Sequence, residues 1–140
     1  MSKILVVDDQ EQNTYLLKSL LQGHGYQVQE AANGAAALEM ARMDPPTAVI
    51  SDILMPVMDG FSLCQAWMND DNLKRIPFVF YTATYTDSRD EELALRLGAA
   101  GFIIKTVEID EFVTIIRQVI EEVASNGSTN EPQSSIPEEL

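Results

Sequence analysis

Short apolar runs recur along the chain, and an amphipathic stretch follows each of them. Ile4-Leu5-Val6-Val7 is continuously apolar, as a strand covered on both faces should be. From about Glu11 to Gln22 the pattern turns helical, with Leu17, Leu20 and Leu21 on one side, and Gly23-His24-Gly25 breaks it. A weaker strand covers Gln27 to Ala31, and Asn33 is placed to cap a helix through about Met43. Pro45-Pro46 stops that helix, and Thr47–Ser51 forms the third strand. Asp59-Gly60 opens a third helix, with Phe61, Cys64 and Trp67/Met68 at helical spacing. Pro77–Tyr81 is the fourth strand; Thr86 or Asp87 caps a fourth helix that runs through Leu97 and stops at Gly98. Gly101–Ile104 is the fifth strand. In the last helix Phe112, Ile115, Ile116, Val119, Ile120 and Val123 follow i, i+3, i+4, i+7, i+8, i+11.

This strand–helix alternation predicts an α/β fold, a doubly wound five-stranded parallel sheet with helices on both faces. The near-continuous apolar runs suit strands 1, 3 and 4 to the sheet centre, and strand 2 suits an edge. From Ser125 the text becomes "SNGSTNEPQSSIPEEL", which is rich in Ser, Asn, Pro and Glu and has no periodicity. The expected organisation is therefore a domain over residues 1–124 and a flexible acidic tail or linker over 125–140.

Composition narrows the function. The net charge is −13, and residues 121–140 hold Glu121, Glu122, Glu131, Glu138 and Glu139 without a single base. No clustered Lys/Arg footprint exists, which argues against direct nucleic-acid binding. No apolar run approaches the roughly 18–20 residues that span a bilayer, so no membrane role is expected. Met1 is followed almost at once by a strand without a leader pattern, and a cytoplasmic location is expected. Cys64 is the single cysteine; it can form neither an internal disulfide nor a zinc cluster, and it reads as a small hydrophobe on a helix face. His24, the single histidine, sits between two glycines and reads as a surface turn residue.

In open parallel sheets, ligands bind beyond the carboxyl ends of the strands. Strand 1 ends in Asp8-Asp9, strand 3 in Asp52, strand 4 in Thr82 and strand 5 in Lys105. Each has a plainer explanation. Asp59 fits a turn former or N-cap; Asp8-Asp9 fit caps before a helix as well as they fit metal ligands; a lysine near a helix start is ordinarily solvated. What favours chemistry is that all of them share one sheet edge. Crowded carboxylates repel unless a cation compensates them, and hard oxygen ligands suit Mg²⁺ (or Mn²⁺). A carboxylate beside such a cation, an ammonium and a hydroxyl is arranged to receive a phosphoryl group. Asp52 would be the oxygen nucleophile, Lys105 would screen charge, and Thr82 would hydrogen-bond the new phosphate.

The segments "ILVVDDQ", "SDILMPVMDG", "FYTAT" and "GAAGFIIK" occur in order, and over about residues 3–124 the chain resembles the receiver domain of two-component response regulators. The resemblance implies a flavodoxin-like sheet in the order 2-1-3-4-5. It implies that Asp52 accepts a phosphoryl group from a histidine kinase or a phosphotransfer protein. Asp8, Asp9, Asp52 and the backbone carbonyl of Leu54 would hold Mg²⁺, and Lys105 would hold the phosphate. Thr82 and Phe102 would be the switch pair, although Phe102 also fits a simple core residue of strand 5. The fourth helix, fifth strand and fifth helix would form the signalling surface and a possible homodimer contact; Arg89, Glu91, Glu92 and Arg96 give that helix a mixed charge.

Two departures from the family pattern stand out. Family members usually place proline after the strand-5 lysine, often with a cis bond, whereas Lys105 precedes Thr106. A cis bond before a non-proline residue costs about 2.5–4 kcal/mol, so a trans bond with a shifted loop is expected. Leu54 stands two residues past the acceptor, where many relatives are polar. With Thr84 it would line the path of attacking water, and its apolar side chain is expected to lengthen the phosphoryl lifetime. A Mg²⁺-dependent aspartate-nucleophile phosphatase is the enzymatic alternative, but it wants an acid at the position of Leu54. Neither G-x-x-x-x-G-K-[ST] nor G-x-G-x-x-G occurs, which argues against a nucleotide module. A docking-only pseudo-receiver is disfavoured by the intact acid set. A phosphoacceptor signalling domain, not an enzyme, is therefore expected.

Overall fold

A computed structural model of the chain describes residues 2–83 and 87–129, with side chains through Val123. Strands β1 (Lys3–Val7), β2 (Gln27–Ala31), β3 (Ala48–Ser51), β4 (Phe78–Thr82) and β5 (Gly101–Ile104) alternate with helices α1 (Glu11–Gly23), α2 (Gly34–Met43), α3 (Gly60–Met68), α4 (Ser88–Leu97) and α5 (Ile109–Thr129). All neighbouring strands pair in parallel, in the order β2-β1-β3-β4-β5. The expected doubly wound sheet is thus observed, with strand 2 at an edge.

Side-chain alternation along each strand divides the interior into two layers. Leu5, Val7, Val49, Phe78 and Phe80 face one layer with α2 and α3, whose Leu38, Leu63, Cys64 and Trp67 are buried there. Ile4, Val6, Ile50, Val79 and Ile103 face the other with α1 and α5, which contribute Leu17, Leu21, Phe112, Val113, Ile116 and Val119. Trp67 is fully buried, and its indole N–H is satisfied by the Ile76 carbonyl at 3.1 Å. Full burial of side chains of this size contributes about 1.5–3 kcal/mol each, so both layers clamp the sheet.

The helix ends follow from local chemistry. The side chains of Asn33 and Asp59 accept the N–H groups of Ala36 and Ser62 at 2.9 and 2.8 Å, and Asp87 accepts that of Arg89 at 3.0 Å. Thr86, the other candidate cap, lies outside the described residues. Gly98 closes α4 with a left-handed φ of 109°. Helix α5 continues to Thr129, beyond the boundary expected at residue 124. Extending an anchored helix needs no new nucleus, so the backbone bonds propagate past the last apolar turn. No described helix is long and apolar enough to cross a membrane.

Candidate functional site

β1 and β3 are neighbours, with Val7 opposite Ser51, so the chain leaves both strands at the same level and places Asp8 beside Asp52. Two backbone bonds continue the ladder past the strand ends: the N–H of Asp52 donates to the Val7 carbonyl at 3.0 Å, and that of Asp8 to the Ala31 carbonyl at 3.1 Å. Lys105 follows β5, where its N–H donates to the Thr82 carbonyl at 2.7 Å. Its flexible stem reaches across the end of β4 to the acids. The ammonium stands 3.2 Å from Asp52 Oδ2 and 3.3 Å from Asp8 Oδ2.

Both carboxylates are withdrawn from solvent, with side-chain exposures of 4% for Asp8 and 13% for Asp52. Their remaining acceptor capacity is partly used. Asp8 Oδ1 accepts the Gln10 N–H at 2.9 Å, and Asp8 Oδ2 accepts Asn13 Nδ2 at 3.1 Å. Asp52 Oδ1 accepts the Ile53 N–H at 2.7 Å. Gln10 is the N-cap of α1 and makes no side-chain cap bond, so Asp8 does not cap the helix. Burial opposes the charge on Lys105, but Asp52 and Asp8 outweigh it and hold the ammonium above the ordinary lysine value.

The start of α3 presses on the backbone of Asp52. The N–H of Gly60 donates to the Ile53 carbonyl at 2.7 Å, and a Cβ on Gly60 would lie 2.2 Å from the Asp52 carbonyl oxygen. Only glycine fits. In the loop between them, Val57 has φ 70° and is flanked by a Met58 N–H to Pro56 carbonyl bond of 2.7 Å. This is a γ-turn on a β-branched residue, a costly conformation of the kind held beside functional sites.

The donor chemistry suits a hard divalent cation: Asp8 and Asp52 bring carboxylate oxygens to one point, and the Lys105 ammonium already occupies a cation's place between them. Among the described residues no group of three or more His, Cys, Asp or Glu side chains is gathered to hold a metal, and Asp9 is exposed. Asp8 directly follows β1 and is buried, whereas Asp9 lies in the bend that leads to α1.

Thr82 is buried at the end of β4, and Phe102 of β5 packs against Phe80 with ring centroids 6.2 Å apart. The Leu54 side chain is 80% exposed, and Thr84 lies outside the described residues. The Lys105–Thr106 bond is trans. Arg89, Glu91, Glu92 and Arg96 are exposed on α4. His24 is an exposed turn residue with Nδ1 3.0 Å from the Leu20 carbonyl. Sequence reasoning missed Asn13 and treated Gly60 only as a turn signal. A polar residue in the first turn of α1 gave a weak hint of the former; the contact at Gly60 has no signature in the sequence.

The family model described as "Response regulator receiver domain" matches residues 4–117. The chain belongs to the response regulator receiver domain family. It is 39% identical over 108 residues to the response regulator PleD of Caulobacter vibrioides, covering 76% of this chain but 23% of that protein. With the protein PilH of Pseudomonas aeruginosa it shares 32% identity over 120 residues, covering 86% of this chain and 98% of PilH. The solved structure of the chemotaxis response regulator CheY4 of Vibrio cholerae superposes with a TM-score of 0.78 at 30% identity, over 85% of this chain and 98% of that one. The receiver domain thus spans about a quarter of one relative and nearly all of another. It is a signalling domain of two-component systems, and its family interacts with histidine kinases and phosphotransfer proteins.

Proposed function

We propose that this receiver domain takes a phosphoryl group from a histidine kinase or phosphotransfer protein onto Asp52. The observation that carries this reading is one ammonium held between the buried Asp8 carboxylate and the part-buried Asp52 carboxylate at the sheet's carboxyl edge. An Asp52 carboxylate oxygen attacks the phosphorus of the donor phosphohistidine. The new P–O bond forms as the P–N bond breaks; the imidazole nitrogen leaves with the bonding pair and takes up a proton. The Ile53 N–H holds Oδ1 of the nucleophile, and Lys105 screens the approaching phosphoryl oxygens. A Mg²⁺ or Mn²⁺ ion held by Asp8, Asp9, Asp52 and the Leu54 carbonyl would supply further positive charge to the phosphoryl oxygens. Thr82 then donates its hydroxyl to the aspartyl phosphate, and Phe102 turns inward behind it. That shift alters the surface of α4, β5 and α5, which is offered to a target or to a second copy. The apolar Leu54 limits the water that would hydrolyse the product.

Incubation with a small acyl phosphate, with and without Mg²⁺, followed by intact-mass analysis and mapping of the label, tests the proposal. The label should appear on Asp52, require the divalent cation, persist without steady phosphate release and vanish in Asp52→Asn. A wild-type protein that takes no label overturns it. Continuous turnover would favour the phosphatase instead.

A further inference from the structure

We infer that Tyr81 is a positioning residue for Lys105, its ring standing as a third neighbour of the ammonium that Asp8 and Asp52 hold. The inference rests on the proposed phosphoacceptor role of Asp52. Lysine carries a long stem with much rotamer freedom, and two carboxylates alone leave the ammonium free to swing outward with either of them. Lys105 Nζ lies 5.7 Å from the centroid of the Tyr81 ring, within the range of a cation–π contact. The ring is itself fixed from behind: it meets the buried Phe112 of α5 at 4.8 Å between centroids, with planes inclined by 48°.

Alternation along β4 separates this arrangement from Thr82 and Phe102. Tyr81 points with Val79 toward α1 and α5, whereas Phe80 packs with Phe102 in the opposite layer. The register places Tyr81 opposite Ile103 and Thr82 opposite Ile104, so Lys105 leaves β5 just beyond the ring. Once Asp52 becomes an aspartyl phosphate, the oxygens that face Lys105 change from carboxylate to phosphoryl, while the π face of Tyr81 is unchanged by the reaction. The ring is therefore a neighbour of the ammonium whose chemistry is the same before and after transfer. A plain core aromatic would fill the same space but would not depend on its π face.

The two are separated with Tyr81→Leu, which keeps apolar bulk and removes the ring, and Tyr81→Phe, which removes only the hydroxyl. In the metal-free protein, the ε-methylene NMR signals of Lys105 should be shifted upfield by the ring in wild type and in Tyr81→Phe, and should return to ordinary positions in Tyr81→Leu. Phosphorylation of Asp52 by an acyl phosphate should slow about three- to tenfold in Tyr81→Leu and stay near wild type in Tyr81→Phe. Unshifted Lys105 signals in the wild type overturn the inference, as does a Tyr81→Leu protein labelled at the wild-type rate. If Tyr81→Leu does not fold, the wild-type and Tyr81→Phe spectra still decide. If the wild type takes no label, the proposed function fails and the spectra alone judge Tyr81.

Discussion

The two ends of the sheet handle charge in opposite ways. At the amino end, Lys3 pairs with Asp44, whose side chain is largely exposed, and its N–H donates to Thr47 Oγ1 at 3.1 Å. One cation meets one anion, and water screens the pair. At the carboxyl end, Lys105 stands between the buried Asp8 and the part-buried Asp52, so the cluster keeps a surplus negative charge where solvent screens it poorly. The same strands produce both ends. The difference teaches that the carboxyl end carries an uncompensated negative charge that the amino end does not.

The comparison breaks most clearly on the lysines. Lys105→Met strips the ammonium from Asp8 and Asp52 and should destabilise the fold by about 3 kcal/mol, the low end of the buried-pair range because Lys105 and Asp52 are part exposed. Lys3→Met should cost less than about 1 kcal/mol. Urea unfolding of both variants at neutral pH measures the gap, and equal losses would erase the distinction. Glycines sharpen it next. Gly60→Ala forces a Cβ against the Asp52 carbonyl and should cost about 2–3 kcal/mol. Gly23→Ala, at the amino end with nothing within 4 Å, should be neutral or stabilise by up to about 1 kcal/mol. Thermal midpoints of the pair provide the check.

The smallest effect tests the layer between the ends, which should reject charge altogether. Burial pushes the Cys64 thiol from 9.0 up to about 12. The folded protein keeps that proton where the unfolded chain releases it. Stability is therefore unaffected by this group below pH 9 and falls as pH rises toward 12, by about 1.4 kcal/mol per unit. Unfolding free energies at pH 8 and about pH 10 should differ by about 1.4 kcal/mol more in wild type than in Cys64→Ala. Matching slopes would mean that the thiol ionises inside the fold.

Much of this was legible in the chain. The apolar runs at Ile4–Val7 and Ala48–Ile50 announced central strands because a strand buried on both faces has no polar side to show. Asn33, Asp59, Asp87 and Gly98 announced helix ends because caps act within a few residues of the chain they cap. Asp8, Asp52, Thr82 and Lys105 could be assembled as a candidate site because a parallel sheet sends every strand's carboxyl end to one edge. The tail was less legible: α5 runs on to Thr129, since helix propagation needs no apolar periodicity.

What only the tertiary structure decided are relations between segments far apart in sequence. Which of two adjacent acids is buried depends on how the chain bends between β1 and α1, and the answer is Asp8, with Asp9 exposed. The need for glycine at position 60 depends on how closely α3 approaches the Asp52 carbonyl. The contact of Lys105 with Tyr81, and of Tyr81 with Phe112, depends on how β4, β5 and α5 pack. Periodicity and capping are short-range and are written in neighbouring residues. Distances across a packed interior are set by every side chain that fills it, and no single segment carries them.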